Sequence, residues 1–477
     1  MNLLARCCRL ALCLAIVLGG AFAAVAADAP AEAKVSYARD IRPIFQARCQ
    51  GCHQPAKAEG QFVLTTVAAI LKGGESEEPA IVPGKADESL LVKQIVSTDQ
   101  EPPAMPKEGE PLSASDVTLI KRWINQGAAD DTPASSAAVV DMQHPPVYTR
   151  PPVLTAVAFS PDGKLLAVSG YHEVLLYDAD GSEIVARLVG MSERIESVAF
   201  SPDGTRLGVT AGSPGRMGEV QVWNVGERRL ELALPITYDS IFGGSWSHDG
   251  TRFAFGCADN SLRAIEVASG KQVLFQGAHS DWVLDTTWSN NDSHLISVSR
   301  DRSMKLTEVA TQQFVDNITS ITPGALKGGL MSVATHPKAD QVVAGGADGQ
   351  PKLYQIYRTK VRKIGDDFNR LRSYEPMPGR IFSVCFSADG SLFAAGSSSD
   401  GSGEVRVYRT ADVKRISTFE GQHGPVYAVA FHPDATRVAS VGFDGYVRIN
   451  NAESGKLIVE FLAVPKQGDD VAATGDK

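Results

Sequence analysis

A repeated unit fills the chain between positions 153 and 465, and it limits the possible folds more than any other feature. In each unit an apolar strand reaches the same aligned position, a turn of the Pro-Asp-Gly type follows, and further short strands come after it. The aligned residues, 41 to 51 positions apart, are Phe159, Phe200, Trp246, Trp288, Thr335, Phe386 and Phe431. A period in the forties with four short strands per unit is typical of β-propeller blades. We therefore predict an all-β seven-bladed propeller over residues 152–465.

The two ends of the repeat region suggest how the ring closes. The first unit begins with its inner strand at Val153, and the segment KLIVEFLAV at 456–464 is left over at the other end. Because closure removes the free edges of a sheet, we predict that 456–464 pairs with the first blade. Residues 466–477 are polar and are expected to form a flexible tail.

The repeats resemble the WD-repeat family across about 150–465, with degenerate motifs. In that family a histidine and an aspartate link the turn between the inner strands to the loop before the blade. His279 with Asp301 and His423 with Asp444 match this pair. The resemblance implies that these four residues support the scaffold rather than perform chemistry.

The first 26 residues have the pattern of a secretory signal peptide. Arg6 and Arg9 precede an apolar run from Leu10, and the segment ends in Ala24-Val25-Ala26. An uncleaved membrane anchor is the alternative, because the apolar run is nearly long enough to span a bilayer. The small residues at its end favour cleavage. We expect a periplasmic or otherwise exported protein with no membrane span after cleavage.

The formal charge of −9 argues against a nucleic-acid partner, because such a protein needs a basic face to neutralise phosphates. One segment departs from this acidic character. Residues 358–379 are rich in lysine and arginine and lie between the fifth and sixth repeats. A docking site for an acidic partner is one interpretation, and an ordinary solvated loop is the other.

The segment Cys-Gln-Gly-Cys-His at 49–53 is the strongest chemical motif in the chain. A structural zinc site would need four ligands, and the sequence has no second pair at the usual spacing. A thioredoxin-like dithiol would need a βαβ setting, which the surrounding sequence does not indicate. Cys-x-x-Cys-His is the signature of c-type haem attachment, with Cys49 and Cys52 as thioether sites and His53 as the proximal iron ligand. We expect Cys257 and Cys385 to be buried thiols instead.

Three downstream residues could supply the sixth iron ligand: Met105, Met142 and His144. Met105 lies in a Pro-rich polar loop, which is stiff and offers a lone thioether few apolar neighbours. The other two lie in the Ala-, Ser- and Pro-rich stretch at 130–151, which we interpret as a linker. Met105 is the predicted distal ligand, and an open or water-bound sixth position is the alternative.

Helical patterns surround the motif, with a predicted helix start near Ser113 and a stop at Gly127. Together with YARDIRPIFQARCQGCH and PPAMP, these patterns resemble the planctomycete-type cytochrome c domain across about 34–129. The resemblance implies a small all-α domain with one covalent haem c. It also implies the ligand roles given above for Cys49, Cys52, His53 and Met105.

The combination predicts an exported mono-haem cytochrome that transfers electrons, with the propeller as a platform for an unknown redox partner. A haem-dependent oxidoreductase or sensor that binds its ligand in the propeller funnel is the alternative. The sequence contains no second haem motif and no nucleophile–base constellation, so we assign no catalytic residue.

Overall fold

The structure, a computed structural model, describes residues 34–54, 57–97, 101–107, 110–132, 140–320, 327–363, 365 and 367–464. The predicted signal peptide at 1–26 and the predicted tail at 466–477 lie outside these residues. None of the helices in the described part of the chain is long and apolar enough to cross a membrane.

Short helices make up most of the N-terminal segment. They are a π-helical turn (Tyr37–Ile41), α1 (Arg42–Arg48), a 3-10 turn (Glu59–Gln61), α2 (Val67–Lys72), a second 3-10 turn (Ala86–Glu88), α3 (Leu90–Ile95) and α4 (Ala114–Asn125). The expectation of an all-α domain needs one correction, because two short antiparallel strands, β1 (His53–Gln54) and β2 (Lys57–Ala58), follow the cysteine motif.

Helix α4 anchors the core of this segment. The Ser113 hydroxyl accepts a hydrogen bond from the Asp116 amide at 3.1 Å and caps the first turn. Gly127, with a φ of 99°, follows the last turn, where a left-handed residue ends a helix without strain. Trp123 and Ile124 are buried between these ends. The predicted start and stop of this helix are confirmed.

Seven sets of four strands follow in the described chain, and we call each set a blade. Blade 1 contains β3 (Val157–Phe159), β4 (Leu165–Ser169), β5 (Tyr171–Asp178) and the first half of β6 (Ile184–Phe200). Blade 2 contains the second half of β6, β7 (Arg206–Ser213), β8 (Met217–Asn224) and β9 (Arg229–Thr237). The long β6 therefore joins blades 1 and 2 into one seven-stranded sheet.

The other five blades are separate four-stranded antiparallel sheets. Blade 3 contains β10 (Ile241–Trp246), β11 (Arg252–Cys257), β12 (Leu262–Glu266) and β13 (Gln272–Gln276). Blade 4 contains β14 (Val283–Trp288), β15 (His294–Ser299), β16 (Met304–Glu308) and β17 (Gln313–Asn317). Blade 5 contains β18 (Leu330–Thr335), β19 (Gln341–Gly346), β20 (Lys352–Gln355) and β21 (Arg370–Ser373). Blade 6 contains β22 (Arg380–Phe386), β23 (Leu392–Ser399), β24 (Ser402–Arg409) and β25 (Arg415–Thr418), and blade 7 contains β26 (Val426–Phe431), β27 (Arg437–Gly442), β28 (Tyr446–Asn451) and β29 (Leu457–Leu462).

The predicted pairing of 456–464 with the first blade is wrong. Strand β29 pairs with β28, where Val459 lies opposite Ile449, and it forms the outer strand of blade 7. Blade 1 already has an outer strand, because the first half of β6 pairs with β5. Each blade is therefore completed by strands that are continuous in sequence.

Hydrogen bonds and apolar packing, rather than a shared strand, join blade 7 to blade 1. The Leu154 amide donates to the Gly442 carbonyl oxygen at 2.9 Å, and the Tyr177 hydroxyl donates to the Ala463 carbonyl oxygen at 2.7 Å. Apolar residues of both blades form one buried cluster around these contacts. The two ends of the repeat region therefore meet as neighbouring blades of a propeller-like domain.

The two predicted histidine–aspartate pairs have different outcomes. His279 places Nδ1 2.9 Å from the Asp301 carboxylate and Nε2 2.8 Å from the Ser297 hydroxyl, and all three side chains are buried or nearly so. This pair is present and lies in the scaffold of blade 4, as predicted.

The pairing of His423 with Asp444 is wrong. His423 is exposed, and the Asp444 carboxylate lies 2.7 Å from the Arg448 guanidinium. Gln422 stands nine positions before Phe431, as His279 does before Trp288, and its amide donates to the Ser440 hydroxyl at 3.1 Å. A glutamine therefore occupies the structural position of the histidine in blade 7.

Candidate functional site

The cysteine motif is a tight turn at the end of α1. The Cys49 amide donates to the Phe45 carbonyl oxygen at 2.9 Å, and the amides of Cys52 and His53 both donate to the Cys49 carbonyl oxygen. This turn presents the two thiols and the imidazole together. None of the four described cysteines forms a disulfide. Burial raises the pKa of the Cys49 thiol to about 12, as for a thiol packed among apolar side chains.

The imidazole of His53 is oriented by a backbone oxygen. Its Nδ1 lies 3.3 Å from the Phe62 carbonyl oxygen, and the ring of Phe62 packs edge-on against it at 5.6 Å between centroids. Because a carbonyl oxygen can only accept, this hydrogen bond requires a proton on Nδ1 and leaves the Nε2 lone pair for a metal. No spacing pattern in the sequence indicated that the Phe62 carbonyl oxygen orients the His53 imidazole.

A cavity of about 820 Å³ opens beside this turn. Cys49, Cys52 and His53 line it, and Met105 lines it from a distant part of the chain. Apolar side chains of the N-terminal segment make up much of the remaining wall, among them Phe62, Leu64, Leu91, Ile95 and Leu112. The volume lies in the range of cofactor pockets, and an apolar wall with few polar groups is typical of them. Two thiols, an imidazole and a thioether around one apolar cavity fit the needs of a c-type haem.

The three candidate distal ligands occupy different places. Met105 is half-buried against the core, and its amide donates to the Gln94 carbonyl oxygen at 2.9 Å. The Met142 sulfur instead accepts from the Val189 amide at 3.3 Å, on the surface of blade 1. His144 places Nδ1 3.0 Å from the carboxylate of Asp141. Only Met105 of the three lines the cavity, so the structure brings it together with the cysteine motif.

Part of the predicted linker packs against the propeller-like domain. Tyr148 is buried there, and its hydroxyl donates to the Glu173 carboxylate at 2.6 Å. The Arg187 guanidinium binds the same carboxylate at 2.6 Å and also donates to the Pro146 carbonyl oxygen at 2.8 Å. The end of this segment nearest the repeats is therefore held in place.

The repeats also line the cavity, which the sequence analysis did not foresee. Part of its wall is formed by residues 233–236 of β9, Ile265 of β12, and residues 269–272 at the start of β13 and in the turn before it. Among the basic residues of the wall, Arg48 and Lys107 come from the N-terminal segment and Lys271 from blade 3. Two parts of the chain far apart in sequence thus build one site.

Family models match both parts of the chain. The model described as planctomycete cytochrome C matches residues 49–109, a stretch that includes Cys49, Cys52, His53 and Met105. The model described as WD domain, G-beta repeat matches residues 145–178, 270–307, 369–408 and 413–451. The chain therefore joins a planctomycete-type cytochrome c segment to WD repeats. The match to cytochrome c implies haem c binding and suggests export, and the WD repeats suggest an interaction platform.

Curated relatives include the protein named eukaryotic translation initiation factor 3 subunit I from several fungi. The protein from Aspergillus oryzae is 26% identical over 306 residues, which cover 62% of this chain and 77% of that protein. The one from Coccidioides immitis is 26% identical over 314 residues, which cover 62% of this chain and 78% of that protein. The one from Pyricularia oryzae is 26% identical over 271 residues, covering 55% and 66%.

Proposed function

We propose that this protein is an exported mono-haem c-type cytochrome that transfers electrons, and that its seven-bladed WD propeller is a platform for a redox partner. The observation that carries the proposal is the shared cavity, where Met105 joins the cysteine motif although 52 positions separate it from His53. A haem in that cavity would supply a one-electron couple between ferric and ferrous iron.

Each site residue has a distinct role in this proposal. Cys49 and Cys52 would hold the porphyrin through thioether bonds, and His53 would bind iron through Nε2. The Phe62 carbonyl oxygen keeps the Nδ1 proton in place and so fixes the orientation of the imidazole. Met105 would fill the sixth position with a thioether, which raises the reduction potential relative to other ligands. A filled sixth position favours electron transfer over catalysis, because no site at iron is open to a substrate.

Visible spectroscopy tests the role of Met105. The full chain, produced in a host that attaches c-type haem, should carry one haem by mass, and carbon monoxide should leave its reduced spectrum unchanged. Met105→Ala should make that spectrum sensitive to carbon monoxide and should lower the reduction potential.

Met142→Ala is the matched control, because Met142 was also a candidate ligand but its sulfur accepts from the Val189 amide on blade 1. It should keep the wild-type spectrum. Ready binding of carbon monoxide by the wild-type protein would reject electron transfer and favour the oxidoreductase or sensor. If the spectrum of Met105→Ala equals that of wild type, Met105 is not an iron ligand.

The basic segment 358–379 is not entirely a loop between blades, because its residues 370–373 form β21, the outer strand of blade 5. Its role as a docking site for an acidic partner remains a separate proposal. Two of its cations already have an acidic partner within the chain: Arg362 and Arg358 lie 2.7 and 3.3 Å from the Asp316 carboxylate. Lys360 lies over the ring of Phe368, 5.1 Å from its centroid. The charge left for a partner is therefore smaller than the sequence alone indicates.

A further inference from the structure

Gly51, the residue before the second cysteine of the motif, lies directly against blade 2. A Cβ atom built at this position would be 2.5 Å from the Ala233 carbonyl oxygen and 3.2 Å from Cδ of Pro235. Its three nearest neighbours all belong to the propeller. The φ of Gly51 lies outside the left-handed region, so local backbone conformation does not require a glycine here. Instead, the close contact with β9 is what requires a glycine at this position.

A buried polar contact lies beside this one. Glu219 of β8 is only 2% exposed, and its carboxylate accepts from the Ser192 hydroxyl at 2.6 Å and from the Gln221 amide at 2.7 Å. Burial raises the pKa of the Glu219 carboxyl, and the nearby side chain of Gln54, next to His53, partly offsets this effect. Gln54 is itself 1% exposed. Its amide donates to the Gln50 carbonyl oxygen at 2.9 Å, so a buried side chain of the cysteine turn lies near a buried carboxylate of blade 2.

From Val35 onward the chain forms one compact unit, in which α1 and β2 both pack on β9. We propose that blade 2, with the turn before β13 of blade 3, is a wall of the haem site, so that the propeller positions the motif and shields the haem from water. This inference rests on the proposed function for its cofactor, and on the contact of Gly51 with Ala233 and the packing of α1 and β2 on β9 for its geometry. The propeller then takes part in the redox site itself and is more than a platform for other proteins.

Shielding by the propeller has a defined redox consequence. Ferric haem carries one more positive charge than ferrous haem, and water stabilises the more highly charged state. Walls that exclude water therefore raise the reduction potential. Moving blade 2 away from the motif should lower the potential without any change in the iron ligands.

Gly51→Ala in the full chain tests this inference. Both cysteines and His53 remain, so haem should still be attached, but the added methyl group cannot fit against the Ala233 carbonyl oxygen. Hydrogen exchange of the amides at 47–54 and 229–237 should become faster by roughly tenfold or more. The reduction potential should fall. Gly277→Ala is the matched control, because nothing lies within 4 Å of a Cβ at that glycine and its φ is also outside the left-handed region.

Pro235→Tyr tests the same contact from the propeller side, because Cδ of Pro235 lies 3.2 Å from the Cβ position of Gly51 and β9 is the outer strand of blade 2. It should also make hydrogen exchange at 47–54 and 229–237 faster and lower the reduction potential. This variant decides the question if Gly51→Ala does not fold. Exchange and potential equal to those of Gly277→Ala, in a folded variant that carries haem, would overturn the inference. If the wild-type protein carried no haem, the proposed function would fail, whereas faster exchange at both segments in Gly51→Ala would still support the contact.

Discussion

Asp301 should be one of the most sensitive positions of the propeller to substitution. Its side chain is 7% exposed and accepts four hydrogen bonds: from His279 Nδ1 at 2.9 Å, from the Ser280 amide at 3.0 Å, and from the Ser303 amide and hydroxyl at 2.9 and 2.6 Å. Replacement by alanine removes all four and leaves the buried His279 ring without this acceptor. Hydrogen bonds to a charged group contribute about 1.5–3 kcal/mol each when buried, and neutral ones about 1 kcal/mol. Ser280 is exposed, so water can replace the hydrogen bond that its amide loses.

We therefore expect Asp301→Ala to lower the free energy of unfolding by about 3–5 kcal/mol. For a domain of this size that corresponds to a fall in Tm of about 5–8 °C. Calorimetry or circular dichroism of the full chain would measure it. Asp259→Ala is a matched control, because Asp259 stands at the same position of blade 3 but is 42% exposed and pairs with Arg263. It should cost less than about 1 kcal/mol.

The effect of Asp301→Ala should also depend on pH. Burial by itself would raise the pKa of Asp301, but the hydrogen bonds from His279 and Ser303 outweigh it and hold the pKa well below its usual value. An acid whose pKa is lowered in the folded state adds stability above its unfolded pKa, and this stability disappears as the pH falls. The difference between wild type and variant should be complete above about pH 4 and should shrink below it. Equal losses for Asp301→Ala and Asp259→Ala, or a difference that grows in acid, would refute this reasoning.

Two further predictions concern other parts of the ring. Tyr177→Phe removes the hydroxyl that donates to the Ala463 carbonyl oxygen between blades 1 and 7, and it should cost about 1 kcal/mol in chemical denaturation. No loss would show that this bond does not help to close the ring. Asp285 is half-buried and accepts from the Ser332 hydroxyl and the Val333 amide, and desolvation of its carboxyl raises its pKa to about 6. Because ionising this carboxyl in the folded state costs free energy, wild type should lose up to about 3 kcal/mol relative to Asp285→Asn as the pH rises from about 4 to about 6. A constant difference across this range would contradict the raised pKa.

Local features of the sequence predicted much of the fold. The period of the repeats indicates blades because each unit contains its own strands and turns, so its structure depends on neighbouring residues. The capping serine at 113 and the glycine at 127 likewise determine the ends of α4 within a few residues of themselves. The same holds for the cysteine motif, where one tight turn places Cys49, Cys52 and His53 together.

The sequence did not predict the features that depend on which surfaces pack together in the folded protein. The leftover segment 456–464 was predicted to join the first blade, but that blade is completed by β6, and a count of strands does not show which strand pairs with which edge. Gln422 stands at the same spacing from Phe431 as His279 from Trp288, but only its contact with Ser440 shows that a glutamine takes the place of the histidine.

The candidate site divides in the same way. Its donor atoms follow from residue types at fixed spacing, because haem attachment needs two thiols and an imidazole within one turn. The part of the cavity wall that blades 2 and 3 contribute does not follow from spacing. Gly51 contacts Ala233 only after the helices and the blades have folded and packed together. Spacing along the chain therefore determined which residues can hold the iron, and tertiary packing decided what surrounds it.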